Sequence, residues 1–129
     1  MNYTEKVRQF TEACNDVVPA GPTPMSPDAV AFIRHMVDDE MAELSAAKTV
    51  PEQADALVDA IYYICDCAAR HGMNLDPIFE IVHTANMSKV VDGKVLRRDD
   101  GKILKPEGWQ DPWPNVEEEI ARQEQEGAF

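Results

Sequence analysis

Apolar residues at Val30, Ile33, Val37, Leu44 and Ala47 recur at three- and four-residue spacing, which predicts an amphipathic helix from Pro27 to about Lys48. Ser26 is its N-cap, and Pro27 stands at the first helical position, where its missing N–H costs nothing. A second helix starts at Thr49 or Val50 before Pro51 and runs to Arg70 or His71, with Gly72 as the C-terminal stop. A third is capped by Asp76, has Pro77 in its first turn and reaches about Val90. Residues 3 to 14 suit a short helix, and "VVPAGPTPMSP" (17 to 27), with four prolines and a glycine, is an irregular connection.

After Val91 the pattern changes. "KVLRRDDGKILKP" alternates and contains Asp100-Gly101, a favoured hairpin pair, so an extended arm or small hairpin is expected. "NVEEEIARQEQE" closes the chain as a short helix, with Asn115 capping and Glu118 three residues on. The expected fold is all-α: one domain over residues 1–129, made of an antiparallel helical bundle (1–91), an arm (92–114) and a terminal helix (115–126).

Within this pattern some polar residues stand in the wrong place. In "VDDEMAEL" (37 to 44), Glu40 lies only about 20° from Ile33 around the helix and Glu43 about 80°, so both border the buried stripe. Asp39 and Glu43 are one turn apart and repel unless compensated. In the next helix Ala54, Leu57, Val58, Ile61, Ile64, Cys65 and Ala68 form the expected core face, flanked by Ala56, Ala60, Tyr63 and Cys67. What remains is a narrow stripe of Asp55, Asp59, Tyr62 and Asp66.

Buried carboxylates are costly unless protonated, paired or metal-bound, and no basic residue lies between Thr49 and Ala69 to pair with them. Two helices offering carboxylates to a shared interior make an all-oxygen cage, which suits magnesium or manganese and not zinc. The competing reading is that Asp55, Asp59 and Asp66 simply face water.

Lys89, in "HTANMSK", falls about 20° from Ile78 on the apolar stripe of the third helix, with Asn86 one turn before it. It either snorkels at the helix end or, beside a metal cage, binds phosphate. His83 has no catalytic part in this reading. "RRDDGKILKPEGW" concentrates Arg97, Arg98, Lys102 and Lys105 ahead of Trp109; it is either a solvated hairpin or an arm that closes over a polyphosphate, anchored by Trp109.

The formal charge of -12, from 24 acidic against 12 basic residues, argues against nucleic acid and anionic membranes as partners and fits cation binding. Three cysteines, Cys14, Cys65 and Cys67, lack disulfide or zinc spacing and read as reduced and packed. No apolar run approaches the roughly 18 residues of a membrane span, so a cytoplasmic location is expected.

Taken together, "DDEMAEL", "DALVDAIYYI", "NMSK" and "DGKILKPEGW" resemble the MazG-like all-α nucleoside triphosphate pyrophosphohydrolases, in particular the small phosphoribosyl-ATP-pyrophosphohydrolase-like branch of bacteria and phages, from about Val7 to Pro112. The resemblance implies a dimeric or tetrameric helical enzyme that cleaves between the α and β phosphates of a nucleotide with Mg2+ or Mn2+, two or three ions being expected. The family signature EExxE falls on Asp39, Glu40 and Glu43: Glu40 and Glu43 would bind metal, and Asp39 would act on the attacking water. The second motif, ExxD, is best placed on Asp59 with Asp55 as the replacement for its glutamate, since Ala56 stands three before Asp59; Glu52 and Asp55 form a literal alternative.

Asn86 and Lys89 match the family's phosphate contacts, and Arg97, Arg98 and Lys105 are the arm's candidates for the same task. By position, Phe10, Asn15 and Asp16 are candidates for a base pocket, with core and cap roles as the alternative. The resemblance leans to a purine deoxynucleotide such as dGTP, because phage members of this branch include dGTP-directed enzymes. The alternatives are phosphoribosyl-ATP as substrate, and a catalytically silent helical interaction module.

Overall fold

The computed structural model describes residues 2–129. Those residues form five helices: α1 (Tyr3–Ala13), α2 (Pro27–Ala46), α3 (Val50–Arg70), α4 (Leu75–Met87) and α5 (Trp113–Glu126). No strand is present among them. α3 is the central element, packed against α2 on one side and α1 on the other, while α4 meets α1 and α5. The fold is all-α, as the helical periodicity predicts. Among the described residues no helix is long and apolar enough to cross a membrane.

Local chemistry sets the helix starts. The Ser26 hydroxyl accepts from Ala29 N–H at 3.1 Å and opens α2. Thr49 opens α3, accepting from Glu52 N–H at 3.3 Å while its hydroxyl reaches Glu52 Oε1 at 2.7 Å. α4 departs from expectation: Asn74, not Asp76, is its N-cap, accepting from Asp76 N–H at 3.0 Å. The Asp76 carboxylate instead accepts from the backbone N–H groups of Thr4 (2.9 Å) and Glu5 (3.2 Å), capping α1 across the fold. Asn115 does not cap α5 either, which begins two residues earlier; Asp111 accepts from Trp113 N–H at 2.8 Å.

α3 ends at Arg70, and the chain turns away two residues on at Gly72, whose φ of +67° a side chain would strain. The proline-rich connection docks there. Thr23 N–H donates to the His71 carbonyl at 2.8 Å, and a Cβ on Gly72 would stand 2.2 Å from the Gly21 carbonyl oxygen. Gln123 of α5, fully buried, ties the start of α4 to the terminal helix by accepting from Asn74 N–H (3.0 Å) and donating to the Asn74 carbonyl (2.9 Å).

The arm is a loose hairpin. Arg97 and Ile103 form an isolated antiparallel bridge, and Gly101 N–H closes the turn on the Arg98 carbonyl at 2.8 Å. Trp109 fixes its far end by donating from Nε1 to the Ala85 carbonyl at 2.8 Å.

The expected core face of α3 is corrected. Ala56, Ala60, Cys65, Ala68 and Ala69 are buried, whereas Leu57, Val58, Ile61 and Ile64 are exposed. Small side chains let α1 and α2 approach α3 closely, and the large apolar ones are left uncovered because no helix of this chain packs over them. That rotation turns Asp59 and Asp66 toward α1 and α2.

Candidate functional site

Glu40 is the one buried residue of α2, with 7% of its surface exposed. Its Oε2 is shielded from solvent and has no hydrogen-bond partner among the described residues. A carboxylate oxygen in that position is costly unless protonated or met by a cation. Glu43, one turn on, and Asp59, from α3, each place a carboxylate oxygen so that the three ligand atoms lie within 4.8 Å of one another. Burial first, then the adjoining Glu43 carboxyl and the charges of Asp59 and Asp55, push the Glu40 carboxyl above its ordinary range.

No cation among the described residues answers this charge. Glu43 is exposed and Asp59 half-buried, so the cluster opens outward from a buried base. Three carboxylates from two helices, one with an orphaned buried oxygen, could hold a metal ion.

The cluster borders a cavity of about 300 Å³ between α1, α2 and α3. Glu40 and Asp59 line it together with Phe10 and Thr11 of α1, Cys14 just after that helix, and Tyr62, Tyr63, Asp66 and Arg70 of α3. Phe10 meets Tyr62 edge to face, with ring centroids 5.9 Å apart. Asp66 accepts from the Thr11 hydroxyl (2.6 Å) and from Arg70 Nε (2.7 Å), and Arg70 Nη2 donates to Asp16 at 2.8 Å. Asp66 is therefore locally paired, contrary to the expectation drawn from the lack of basic residues before Ala69; the partner stands one turn on. These carboxylates, Asp66 first, hold the Arg70 guanidinium above its ordinary pKa.

The remaining expected residues fall elsewhere. Asp39 is exposed beside His35, with Nε2 to Oδ2 at 3.4 Å, next to the cluster in sequence but outside its three ligand atoms. Asp55 is exposed and acts on Glu40 only through its charge. Of the expected base-pocket residues, Phe10 lines the cavity, Asp16 touches it through Arg70, and Asn15 makes the left-handed turn (φ 64°) between them. Asn86, Lys89, Arg97, Arg98 and Lys105 do not line it. Lys89 Nζ donates to Asn86 Oδ1 at 3.1 Å; Lys89 and Lys105 both lie over the Trp109 ring, 5.1 and 5.0 Å from its centre. Arg97 donates to the Gly101 carbonyl and Arg98 pairs with Asp100.

Thr11, Cys14, Tyr63 and Arg70 were not expected in the site. The signal for Arg70 was present, since positions 55, 59, 62 and 66 form one helical stripe and 70 continues it.

No curated protein matches the chain significantly. Residues 7–86, which contain the acidic cluster and the whole cavity, match the phosphoribosyl-ATP pyrophosphohydrolase family. The chain belongs to that family, within the MazG-like all-α nucleoside triphosphate pyrophosphohydrolase superfamily of hydrolases acting on nucleotide acid anhydrides.

Proposed function

We propose that this chain hydrolyses a nucleoside triphosphate between its α and β phosphates, releasing a monophosphate and pyrophosphate, with a purine deoxynucleotide such as dGTP as the preferred substrate and control of the nucleotide pool as the role. The observation that carries the reading is the buried, unpartnered Glu40 oxygen within 4.8 Å of Glu43 and Asp59 ligand atoms, at the wall of a cavity in a chain of this family.

Glu40, Glu43 and Asp59, with Asp55 at the edge, are the residues that would hold Mg2+ or Mn2+, two or three ions in all. A bound divalent cation supplies neutralisation of the phosphate oxygens and an electrophilic pull on the scissile anhydride. Asp39, exposed beside the cluster, takes the proton from the attacking water. Phe10, Tyr62 and the Asn15–Asp16 turn surround the nucleoside.

Asn86, Lys89, Arg97, Arg98 and Lys105 hold the departing pyrophosphate, and Trp109, braced on the Ala85 carbonyl, sets where Lys89 and Lys105 stand. Because these residues lie outside the cavity, they reach the phosphates by closure of the arm or across a second copy of the chain. The exposed Leu57, Val58, Ile61 and Ile64 on α3 support a homodimer or homotetramer, and residues 1–129 act as one domain in a cytoplasmic enzyme.

The family's own description favours a second reading, in which phosphoribosyl-ATP is the substrate. A panel of ribo- and deoxynucleoside triphosphates and phosphoribosyl-ATP, incubated with magnesium or manganese and read as pyrophosphate and monophosphate, decides between them. Turnover of deoxynucleotides above phosphoribosyl-ATP supports the first reading. Turnover of phosphoribosyl-ATP alone replaces it, and silence of the whole panel leaves an interaction module.

A further inference from the structure

Arg70 is the one cationic side chain lining the cavity among the described residues. Asp59 and Arg70 stand three turns apart on α3, about 16 Å of helical rise, so the acids and the guanidinium mark opposite ends of the cavity. Phe10 and Tyr62 form an aromatic wall between them. Asp66 and Asp16 grip Nε and Nη2, and the Thr11 hydroxyl holds Asp66 in turn, so the guanidinium is fixed in place although its side chain is 42% exposed. Nη1 makes no hydrogen bond among the described residues.

Two carboxylates already match the Arg70 charge. What the side chain offers the cavity is therefore directed N–H donation from Nη1 and the second N–H of Nη2, not spare positive charge for a triphosphate. A fork of that kind selects a partner with two neighbouring acceptors. Guanine presents N7 and O6 side by side, and cytosine presents O2 and N3. Adenine has a donor beside N7 and beside N1 and a lone acceptor at N3, and thymine has N–H beside each carbonyl, so neither presents two adjacent acceptors.

We propose that Arg70 is the specificity-determining residue of this site, reading a base that presents two adjacent hydrogen-bond acceptors, with Asp66 and Asp16 as its positioning residues. The inference rests on the nucleotide reading above and deepens it. Guanine is the purine that meets this requirement.

The test uses the full chain with magnesium and compares kcat/KM for dGTP, dCTP, dATP and dTTP, adding 7-deaza-dGTP, which lacks the N7 acceptor. A bidentate contact to the base edge favours dGTP or dCTP over both dATP and dTTP by roughly tenfold or more. If guanine is the base read, 7-deaza-dGTP falls toward the dATP value; if cytosine is, dCTP leads the panel. Arg70→Lys, which keeps the charge and loses the fork, brings the four substrates to within about threefold of each other.

Equal turnover of all four by the parent, or a lead for dATP or dTTP, overturns the Arg70 assignment and leaves the pyrophosphohydrolase reading standing. A folded Arg70→Lys protein that keeps the parental preference also overturns it. Absence of hydrolysis across the panel overturns both.

Discussion

Replacing Asp59 by asparagine removes one charge from the acidic cluster at nearly constant shape. At 4.8 Å or less between ligand atoms, a carboxylate pair repels by about 0.9 kcal/mol in bulk water and about 3.5 kcal/mol at an effective dielectric near 20. Glu43 is exposed and Asp59 half-buried, so water screening dominates and the lower figure governs that pair. In the presence of a chelator, Asp59→Asn is therefore expected to be more stable than the parent by about 1 kcal/mol, or about 3–6 °C in Tm. With a divalent cation the order reverses. A cation at a hundred times its dissociation constant stabilises the parent by about 2.7 kcal/mol, and a hundred-fold weaker site leaves only about 0.4 kcal/mol in the variant. Thermal unfolding followed by circular dichroism, with EDTA and then with magnesium or manganese, reads both halves. A variant that is less stable than the parent in EDTA, or that gains as much as the parent from the cation, refutes the assignment of these carboxylates to one cation site.

The raised Glu40 pKa has a definite sign: stability tied to its protonated form is fully present below the unfolded value near 4.5 and is lost as pH rises through the folded value. In chelator, Glu40→Gln is accordingly expected to overtake the parent in Tm as pH rises above 4.5, and a constant difference across that range would contradict the burial argument. Gly72→Ala sets a Cβ 2.2 Å from the Gly21 carbonyl at a φ of +67°, for a loss of about 2–4 kcal/mol in urea denaturation. Asp76→Ala removes the cap of α1 and is expected to cost about 1 kcal/mol in the same assay, without changing the Tm gain from magnesium.

Much of this architecture is legible in the sequence, because helix ends are written in local chemistry: Ser26–Pro27, Thr49 with Pro51, and Gly72 all stand where the structure uses them. Asp76 misleads because a capping residue near a proline looks the same whether it serves its own helix or another, and it serves α1 from across the fold; Asn115 misleads because α5 begins two residues before it, at Trp113.

The face of α3 was misjudged for a different reason. Hydrophobic periodicity identifies which residues avoid water, not which neighbour covers them, and α1 and α2 pack on the alanines and Cys65 while Leu57 and Ile61 stay uncovered. Glu40, Glu43 and Asp59 were legible as polar intrusions at helical spacing, and the structure brings these three together. Arg70 continues the stripe of Asp55, Asp59, Tyr62 and Asp66, but a basic residue at the last turn of a helix is ordinary, and only the fold shows it gripped by Asp16 and Asp66 at the cavity wall.

On the proposed function, Glu40, Glu43 and Asp59 form the cation site for cleavage of an α–β phosphoanhydride. Phosphorus NMR of dGTP incubated with the protein and magnesium, for the parent and for Glu43→Gln, tests it most directly. The expected result is monophosphate and pyrophosphate from the parent only, abolished by chelator and by Glu43→Gln although the variant stays helical. Diphosphate and orthophosphate as products, or parental turnover by Glu43→Gln, would contradict it.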